Sequence, residues 1–404
     1  MKGFGCTPEQ WRVVKLKTAT RFLYGRALSN QNRCEGKIPV YGSNGITGYH
    51  HQALTNAPCI IIGRKGSIGQ IHYSDVPCFP IDSAYYINAQ ATDNHIRWLY
   101  YALQALDLGS ISKDPTLPWL RREEAFDQSI LLPPPKEQQV IADYLDVKVG
   151  LIDGLIAQKT RQIELWKEQQ QGLIHQAISK GLDPDVVLKD SGIEWLGSIP
   201  QHWEIRKLKF CVDSVLTGGT PPTSEKRYFE NGDIDWFTSG DFDEGIHLTR
   251  SKRKISHLAV KDEKVHCHKK MTVFVVGTGT TLGRVGISKI PCSSNQQLHA
   301  ITFRDDYNPY FGAYYLKSIS DIMTSISNFS ASPMINQSKI KDIMLTVPPG
   351  NEQDDIINHI FEVERQTRNV IDKAEQQIHL LQEYRTALIS EAVTGKIDVR
   401  EWGN

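Results

Sequence analysis

The feature that most constrains this chain is that it is written twice. "WRVVKLK" from Trp11 returns as "WEIRKLK" from Trp203, and "IIIGRKGSIGQI" from Ile60 returns as "FVVGTGTTLGRV" from Phe274, so that Gly63 and Gly69 match Gly277 and Gly283. "LYYAL" from Leu99 is echoed by "AYYLK" from Ala313, and "LLPPPKEQQVIADYL" by "LTVPPGNEQDDIINHI", where Glu137 and Gln138 match Glu352 and Gln353. The order is kept throughout. With 404 residues, more than one core usually supports, the chain reads as one unit duplicated.

Each copy has two parts. The first alternates short β-rich runs, such as "KIPVYGSNGITGY" and "MTVFVV", with Gly, Pro, Asn and Ser turns, and then shows a helical patch ("HIRWLYYALQAL", "YFGAYYLKSISDIM"). That pattern predicts a compact α+β globule. The second part starts at prolines, Pro133 to Pro135 and again Pro348 and Pro349, which suit the entry to a helix. Apolar residues then recur at Ile141, Leu145, Ile152, Ile156, Ile163, Trp166, Leu173 and Ala177, and at Ile356, Ile360, Val363, Val370, Ala374, Ile378, Leu381, Leu388 and Ala392. Steps of three, four or seven keep one stripe facing a partner helix. About 43 residues at roughly 1.5 Å each gives rods of about 65 Å. Gly150, Gly154 and Gly172 weaken the first rod; the second has no Gly or Pro between Glu352 and Thr394.

The expected fold class is therefore α+β, with two similar globular heads separated by two long helices that pair as an antiparallel coiled coil. The expected division is a first head at 1–135, a helix at 136–181, a linker at 182–196, a second head at 197–350, a helix at 351–395 and a tail at 396–404. Antiparallel pairing is expected to make the helices a spacer with a head at either end.

Composition removes several function classes. No apolar run reaches the roughly 18 residues that a membrane helix needs, and "MKGFGCTPEQW" lacks a signal-peptide core, so a cytoplasmic protein with no membrane partner is expected. The seven cysteines are scattered without a C-x-x-C, against both a disulfide framework and a zinc site. The nearest metal-like run is "HCH" at His266 to His268, but neighbours in an extended chain face opposite sides, and no metal is expected. The glycine runs fit neither G-x-G-x-x-G nor G-x-x-x-x-G-K-S/T, and no acid follows at a nucleotide-binding distance. "NPY" at Asn308 to Tyr310 is one proline short of N-P-P-Y/F and reads as a turn before a helix, while Pro184 and Asp185 have no E-x-K partner. Neither catalytic residues nor a cofactor are expected.

Charge is informative through its distribution. The formal net charge is zero. Yet nine Lys/Arg lie between Arg12 and Tyr73 against the single acid Glu35, and ten lie between Ile246 and Pro291 against Asp262 and Glu263. Two basic regions, one per copy, suit contact with a polyanion at two places.

The stretches "SGIEWLGSIPQHWEIRKLK", "GKIPVYGSNGITGY", "TGGTPPTSEKRYFENGDIDWFTSGDF" and "PPPKEQQVIADYLD" together resemble the specificity subunits of type I restriction-modification systems, over essentially the whole chain. The resemblance implies two target recognition domains, each reading one half of a bipartite double-stranded DNA site, joined by helical regions. It also implies that these helices set the spacing and dock methylation subunits, two of them, with or without restriction subunits, and that the chain itself catalyses nothing. The offset between copies grows from 192 at Trp11 and Trp203 to 214 at Gly63 and Gly277, so the second head holds an insert before its glycine loop, and unlike half-sites are expected.

Phosphate contacts set register and base-edge contacts carry sequence, with Arg and Lys suited to guanine and Asn and Gln to adenine. On that basis the expected DNA contacts in the first head are Ser43, Asn44, Arg64, Lys65, Ser67, Lys113, Arg121 and Arg122. In the second they are Thr238, Ser239, Arg250, Lys252, Arg253, Thr278, Thr280, Arg284, Asn336, Gln337 and Lys339. Trp119 and Trp236 are expected in the core rather than stacked on bases. Glu164, Lys167, Gln170, Glu375 and Glu383 are the candidate partner-binding residues on the helices. Two rival readings remain open at this level. A nucleotide-dependent enzyme built on the glycine loops would bind ATP or S-adenosylmethionine, and a coiled-coil scaffold would show no DNA sequence preference.

Overall fold

The strand Arg12–Lys15, which carries the first "WRVVKLK", pairs antiparallel with Ser129–Leu132, immediately ahead of the proline stop. Its twin Glu204–Lys207 pairs in the same way with Met344–Val347. Each head is thus closed by joining an early strand to its last; in the second head a short hairpin, Leu188–Asp190 with Ser198–Pro200, comes before that early strand. The computed structural model that shows this describes residues 8–111, 119–243, 245–327 and 334–402.

Between those closing strands, each head builds the same two sheets. The larger sheet of the first head has the order Leu23–Tyr24, Ala84–Ile87, Cys59–Gly63, Ile71–Ser74. In the second head the order is Val212–Thr217, Leu298–Phe303, Val273–Val276, Val285–Ser288, with His247–Leu248 added parallel at the edge. The added strand comes from the inserted segment. The smaller sheets correspond too: Gly45–His50, Ile38–Gly42, Phe79–Pro80 against Lys254–Ile255, Ile234–Phe237, Ser293–Ser294. The central strand of each head is fully buried because both its faces are covered. Alternate side chains serve different cores: Ile60 and Ile62 one, Cys59 and Ile61 the other, and likewise Val273 and Val275 against Phe274 and Val276.

Four helices matter for function: α1 (Ile96–Gln104), α2 (Pro135–Lys180), α3 (Pro309–Ser318) and α4 (Gly350–Val393). The chain divides into two compact units, Met1–Gln162 with Lys373–Asn404, and Ile163–Asp372, so each unit takes half of each long helix. In the first unit, Ile141, Leu145, Val149 and Ile152 of α2 share a core with Leu388, Ile389, Ala392 and Val393 of α4. Asp153 Oδ1 there meets Arg385 Nε at 2.8 Å. In the second unit, Ala177 and Ile178 pack with Ile356, Ile357 and Ile360. The start of one helix meets the end of the other in both units, so the pairing is antiparallel. Two expected seam residues lie outside it: Leu173 and Val370 are each 39% exposed, while Ile174 packs against the core in place of Leu173. A straight helix drifts about 20° per heptad relative to a strict seven-residue repeat, and the shift by one position at Leu173 is that drift. Gly150, Gly154 and Gly172 do not interrupt α2, and a Cβ at any of them would meet nothing within 4 Å.

The repeated Trp, Glu and Gln residues fasten each helix to its head by one set of hydrogen bonds. Trp11 Nε1 donates to Glu137 Oε2 at 2.8 Å, and Trp203 Nε1 to Glu352 Oε1 at 3.0 Å. Gln138 Oε1 accepts the backbone amide of His95, the N-cap of α1, at 2.8 Å, and Gln353 Oε1 accepts that of Asn308, the N-cap of α3, at 2.7 Å. The amide nitrogens of the same glutamines donate to Pro133 O at 3.0 Å and Pro348 O at 2.9 Å. Both glutamines are 1% exposed. Replacing Gln138 or Gln353 by Leu strands buried backbone groups, each costing about 1–3 kcal/mol. Urea denaturation of each variant should therefore show a lower midpoint, whereas an unchanged midpoint would remove the clamp from the account.

Candidate nucleic-acid interface

The glycine loops are turns built for close backbone approach. A Cβ on Gly63 would stand 2.0 Å from Ser67 O and 2.9 Å from Ser43 O, and one on Gly277 would stand 2.4 Å from His299 Nε2. Gly69 and Gly283 both have positive φ, and a Cβ there would reach Gly109 N at 2.2 Å or Ser320 Oγ at 2.8 Å. The shared glycines are architectural in both heads, and the residues between them are the variable part.

In the first head this turn gathers most of the expected contacts. Ser43 and Asn44 form the turn between Ile38–Gly42 and Gly45–His50, and the Ser43 hydroxyl lies 3.3 Å from a Cβ built on Gly66. The backbone amides of Arg64 and Lys65 both donate to Ser83 O, at 2.9 and 3.1 Å. Arg64 O accepts from Leu120 N at 2.8 Å, and Lys65 bridges to Trp119, which brings the Arg121–Arg122 segment to the same loop. The Arg64 guanidinium lies over the rings of Tyr24, Tyr85 and Trp119 at 5.1, 5.5 and 6.0 Å, and Arg122 shares the Tyr24 ring at 5.4 Å. Rings on the cation restrict its rotamers and leave a preorganised charge. Trp119 is 42% exposed, so the expectation that it sits in the core is corrected: it forms the outer wall of this cluster. Tyr24, 50% exposed, was missed because a lone tyrosine between basic residues carries no sequence pattern. Ser67 lies in the same loop; Lys113 lies outside the described residues.

In the second head the expected residues fall into two groups. Thr278 bridges to Met334, Gly277 O accepts from Ile335 N at 2.9 Å, and Gly277 N donates to Gln297 O at 2.8 Å. The Ser239 hydroxyl donates to Gln297 Oε1 at 3.0 Å, so Thr278, Asn336 and Ser239 lie around one loop cluster. Gln297, which links them, was not anticipated. Several of the expected residues, Asn336 among them, already have internal partners. Thr238 caps the turn Ser239–Asp241 by donating to Asp241 Oδ2 at 2.8 Å, and the Asn336 side chain caps Gln337–Lys341. The Gln337 amide donates to Val215 O. Lys252 Nζ reaches Gly240 O at 2.5 Å, Lys339 Nζ reaches Ile326 O at 2.6 Å, and Arg284 Nη1 reaches Phe242 O at 3.0 Å. Arg253 lies over Phe229 and Trp236 at 4.9 and 5.2 Å, and Trp236 is buried as expected. Arg250 and Thr280 are exposed.

On the helices, Glu164, Lys167, Glu375 and Glu383 are exposed and Gln170 is half-buried; Glu383 has His379 at 3.8 Å. Among the described residues no helix is long and apolar enough to cross a membrane. In the "HCH" run His268 is buried while His266 and Cys267 are both exposed, so the strict alternation expected of an extended segment does not hold there.

The model of the type I restriction modification DNA specificity domain matches the chain twice, over residues 8–165 and 200–379. The chain is 32% identical to a type I restriction enzyme specificity subunit of Methanocaldococcus jannaschii over 166 residues, 40% of this chain and 38% of that relative. It is 25% identical to a second, putative one from that organism over 287 residues, 67% of this chain and 60% of that relative. The matched part thus spans less than two thirds of either relative. The specificity subunit of EcoR124I/EcoR124II from Escherichia coli is 22% identical over 88% of this chain and 85% of its own length. Among solved structures, a chain described with the assembly and conformational transition of the type I R-M system superposes with a TM-score of 0.70 at 13% identity, covering 97% of this chain and all of that one. The HsdS subunit from Thermoanaerobacter tengcongensis gives 0.52 at 14% identity, with 98% and 100% covered. At such identities these two likenesses establish the fold alone.

The second head also holds histidines whose pKa is lowered by burial. His299 lies under Gly277 with a ring nitrogen 2.9 Å from Ile335 O, and burial lowers its pKa; His247 is lowered by burial as well. His268, 3.2 Å from Ser294 Oγ, is pushed by burial from 6.5 down to about 4. A histidine whose folded pKa is depressed takes its proton first in the unfolded chain, so stability is lost as pH falls from about 6.5 toward 4. His268→Gln should flatten the stability-pH slope across that window by close to one proton, read from urea midpoints at a series of pH values. An unaltered slope would mean that His268 titrates normally.

Proposed function

The chain belongs to the family of type I restriction modification DNA specificity domains, and on that premise we propose that it is the DNA-reading subunit of a type I restriction-modification complex. Each head, 1–135 and 197–350, reads one half of a bipartite double-stranded target through its glycine-ended loop and the turns packed on it. The helices at 136–181 and 351–395 set the gap between half-sites and dock two methylation subunits, using the exposed Glu164, Lys167, Glu375 and Glu383 and the half-buried Gln170. Restriction subunits join the same complex in the cytoplasm where cleavage accompanies methylation. The chain supplies no catalytic step of its own; adenine methylation and cleavage belong to its partners.

The observation that carries this reading is the pairing of a common frame with unlike chemistry. Both heads close on the same strand pairs and end the same central strand on a glycine turn. Around that turn one head presents Arg64, Lys65 and Arg122 with aromatic rings, the other mainly hydroxyls and amides from Thr278, Ser239, Gln297 and Asn336. Guanidinium and ammonium groups suit guanine, and amides suit adenine. A nucleotide enzyme gains no support from loops whose shared glycines, Gly63, Gly69, Gly277 and Gly283, pack against the protein's own backbone and side chains. Sequencing of modified adenines in cells that express the chain with its methylation partner should reveal two unlike half-sites separated by a fixed unspecified gap. A single continuous motif, or methylation without sequence preference, would overturn the proposal.

A further inference from the structure

We propose that the first head carries a divalent transition-metal site of the zinc class, formed by Cys34, His50 and His51. The ligand-bearing atoms of these three side chains lie within 4.8 Å of one another. The convergence is produced by the fold, since sixteen positions separate Cys34 from His50. Gly36 makes it possible: a Cβ there would stand 2.3 Å from His50 O and 2.5 Å from the His51 Cα, so the segment carrying Cys34 lies directly on the His50–His51 backbone. The preceding Arg33 anchors the approach, with Nη1 donating to Thr47 O at 2.6 Å.

Alternation would send adjacent histidines to opposite faces, but the strand Gly45–His50 ends at the first of them and the chain bends at His51. The two rings therefore come together, centroids 4.3 Å apart at 69°. His50 is 5% exposed and is backed by Phe79 with ring centroids 5.7 Å apart, while Cys34 and His51 are exposed. One ligand is thus held rigidly and two are open to an incoming ion. The Nδ1 lone pair of His50 already faces Cys34, accepting that residue's backbone amide hydrogen at 3.1 Å. A metal that takes this lone pair replaces one hydrogen bond with a coordinate bond.

A thiolate and two imidazoles are the donor set of borderline ions such as Zn²⁺, whereas Mg²⁺ and Ca²⁺ want oxygen. Binding releases the Cys34 thiol proton to solvent and leaves a fourth tetrahedral position for water. The bound ion would staple the chain before Ile38–Gly42 onto the far end of the hairpin whose turn presents Ser43 and Asn44, stiffening that part of the head. This inference goes beyond DNA reading and stands without it.

The test uses the full-length protein, stripped by a chelator and titrated with Co²⁺ under anaerobic conditions, then competed with Zn²⁺. One Co²⁺ per chain should bind, with tetrahedral ligand-field bands and thiolate-to-cobalt charge transfer, and Zn²⁺ should displace it. Cys34→Ser should abolish the charge-transfer absorption, and His51→Ala should weaken binding by at least about tenfold, the loss caused by removing even an outer-sphere partner. Both replace exposed side chains, so metal-free melting should match wild type; if Cys34→Ser misfolds, His51→Ala decides. Cys267→Ser should leave binding untouched. Absence of a bound ion, a charge-transfer band that survives Cys34→Ser, or a site lost in Cys267→Ser would each overturn the assignment.

Discussion

Two buried glutamines hold this architecture together. Gln138 and Gln353 each stand near the start of a long helix, and each joins three things: the proline stop behind it, the N-cap of a head helix in front of it and the helix that carries it. A tryptophan immediately before the closing strand of the same head fixes the neighbouring glutamate. Removing such a side chain leaves several buried polar groups unpaired at once, and in a low-dielectric interior that costs more than the bonds are worth on the surface. The consequence is a rigid corner where each head meets its helix.

The parts legible in sequence are the parts fixed by such repeated, locally encoded constraints. The proline stops, the E-Q pair and the glycine turns appear twice, so the fold's duplication and both long helices were readable from the residues alone. What the repeat did not reveal is why the E-Q pair recurs. Hydrogen bonds from the His95 amide to Gln138 Oε1 and from the Asn308 amide to Gln353 Oε1 span forty-odd positions and leave no periodic trace. Seam positions were legible only approximately: Leu173 and Val370 fit a spacing pattern, but helical drift turns them outward.

The candidate contact surface was less legible still. Residue type located the basic and amide side chains, but not which of them the protein already holds. Thr238 and Asn336 cap short helices, and Arg64 and Arg253 are stacked on aromatic rings. Trp119 illustrates the limit: large aromatics are usually buried, yet here the partly exposed ring walls a half-buried cation, Arg64. The convergence of Cys34 with His50 and His51 was invisible for a similar reason, since it depends on a strand ending at one histidine and on Gly36 allowing two backbones to touch.

If the heads read and the helices measure, bases and spacing must be separable. Inserting one heptad into α2 and one into α4 at facing positions lengthens the pair by about 10 Å while leaving both corners intact. Mapping of methylated adenines should then return the same two half-sites with a wider gap between them. A changed half-site with the original gap would contradict the account at its centre.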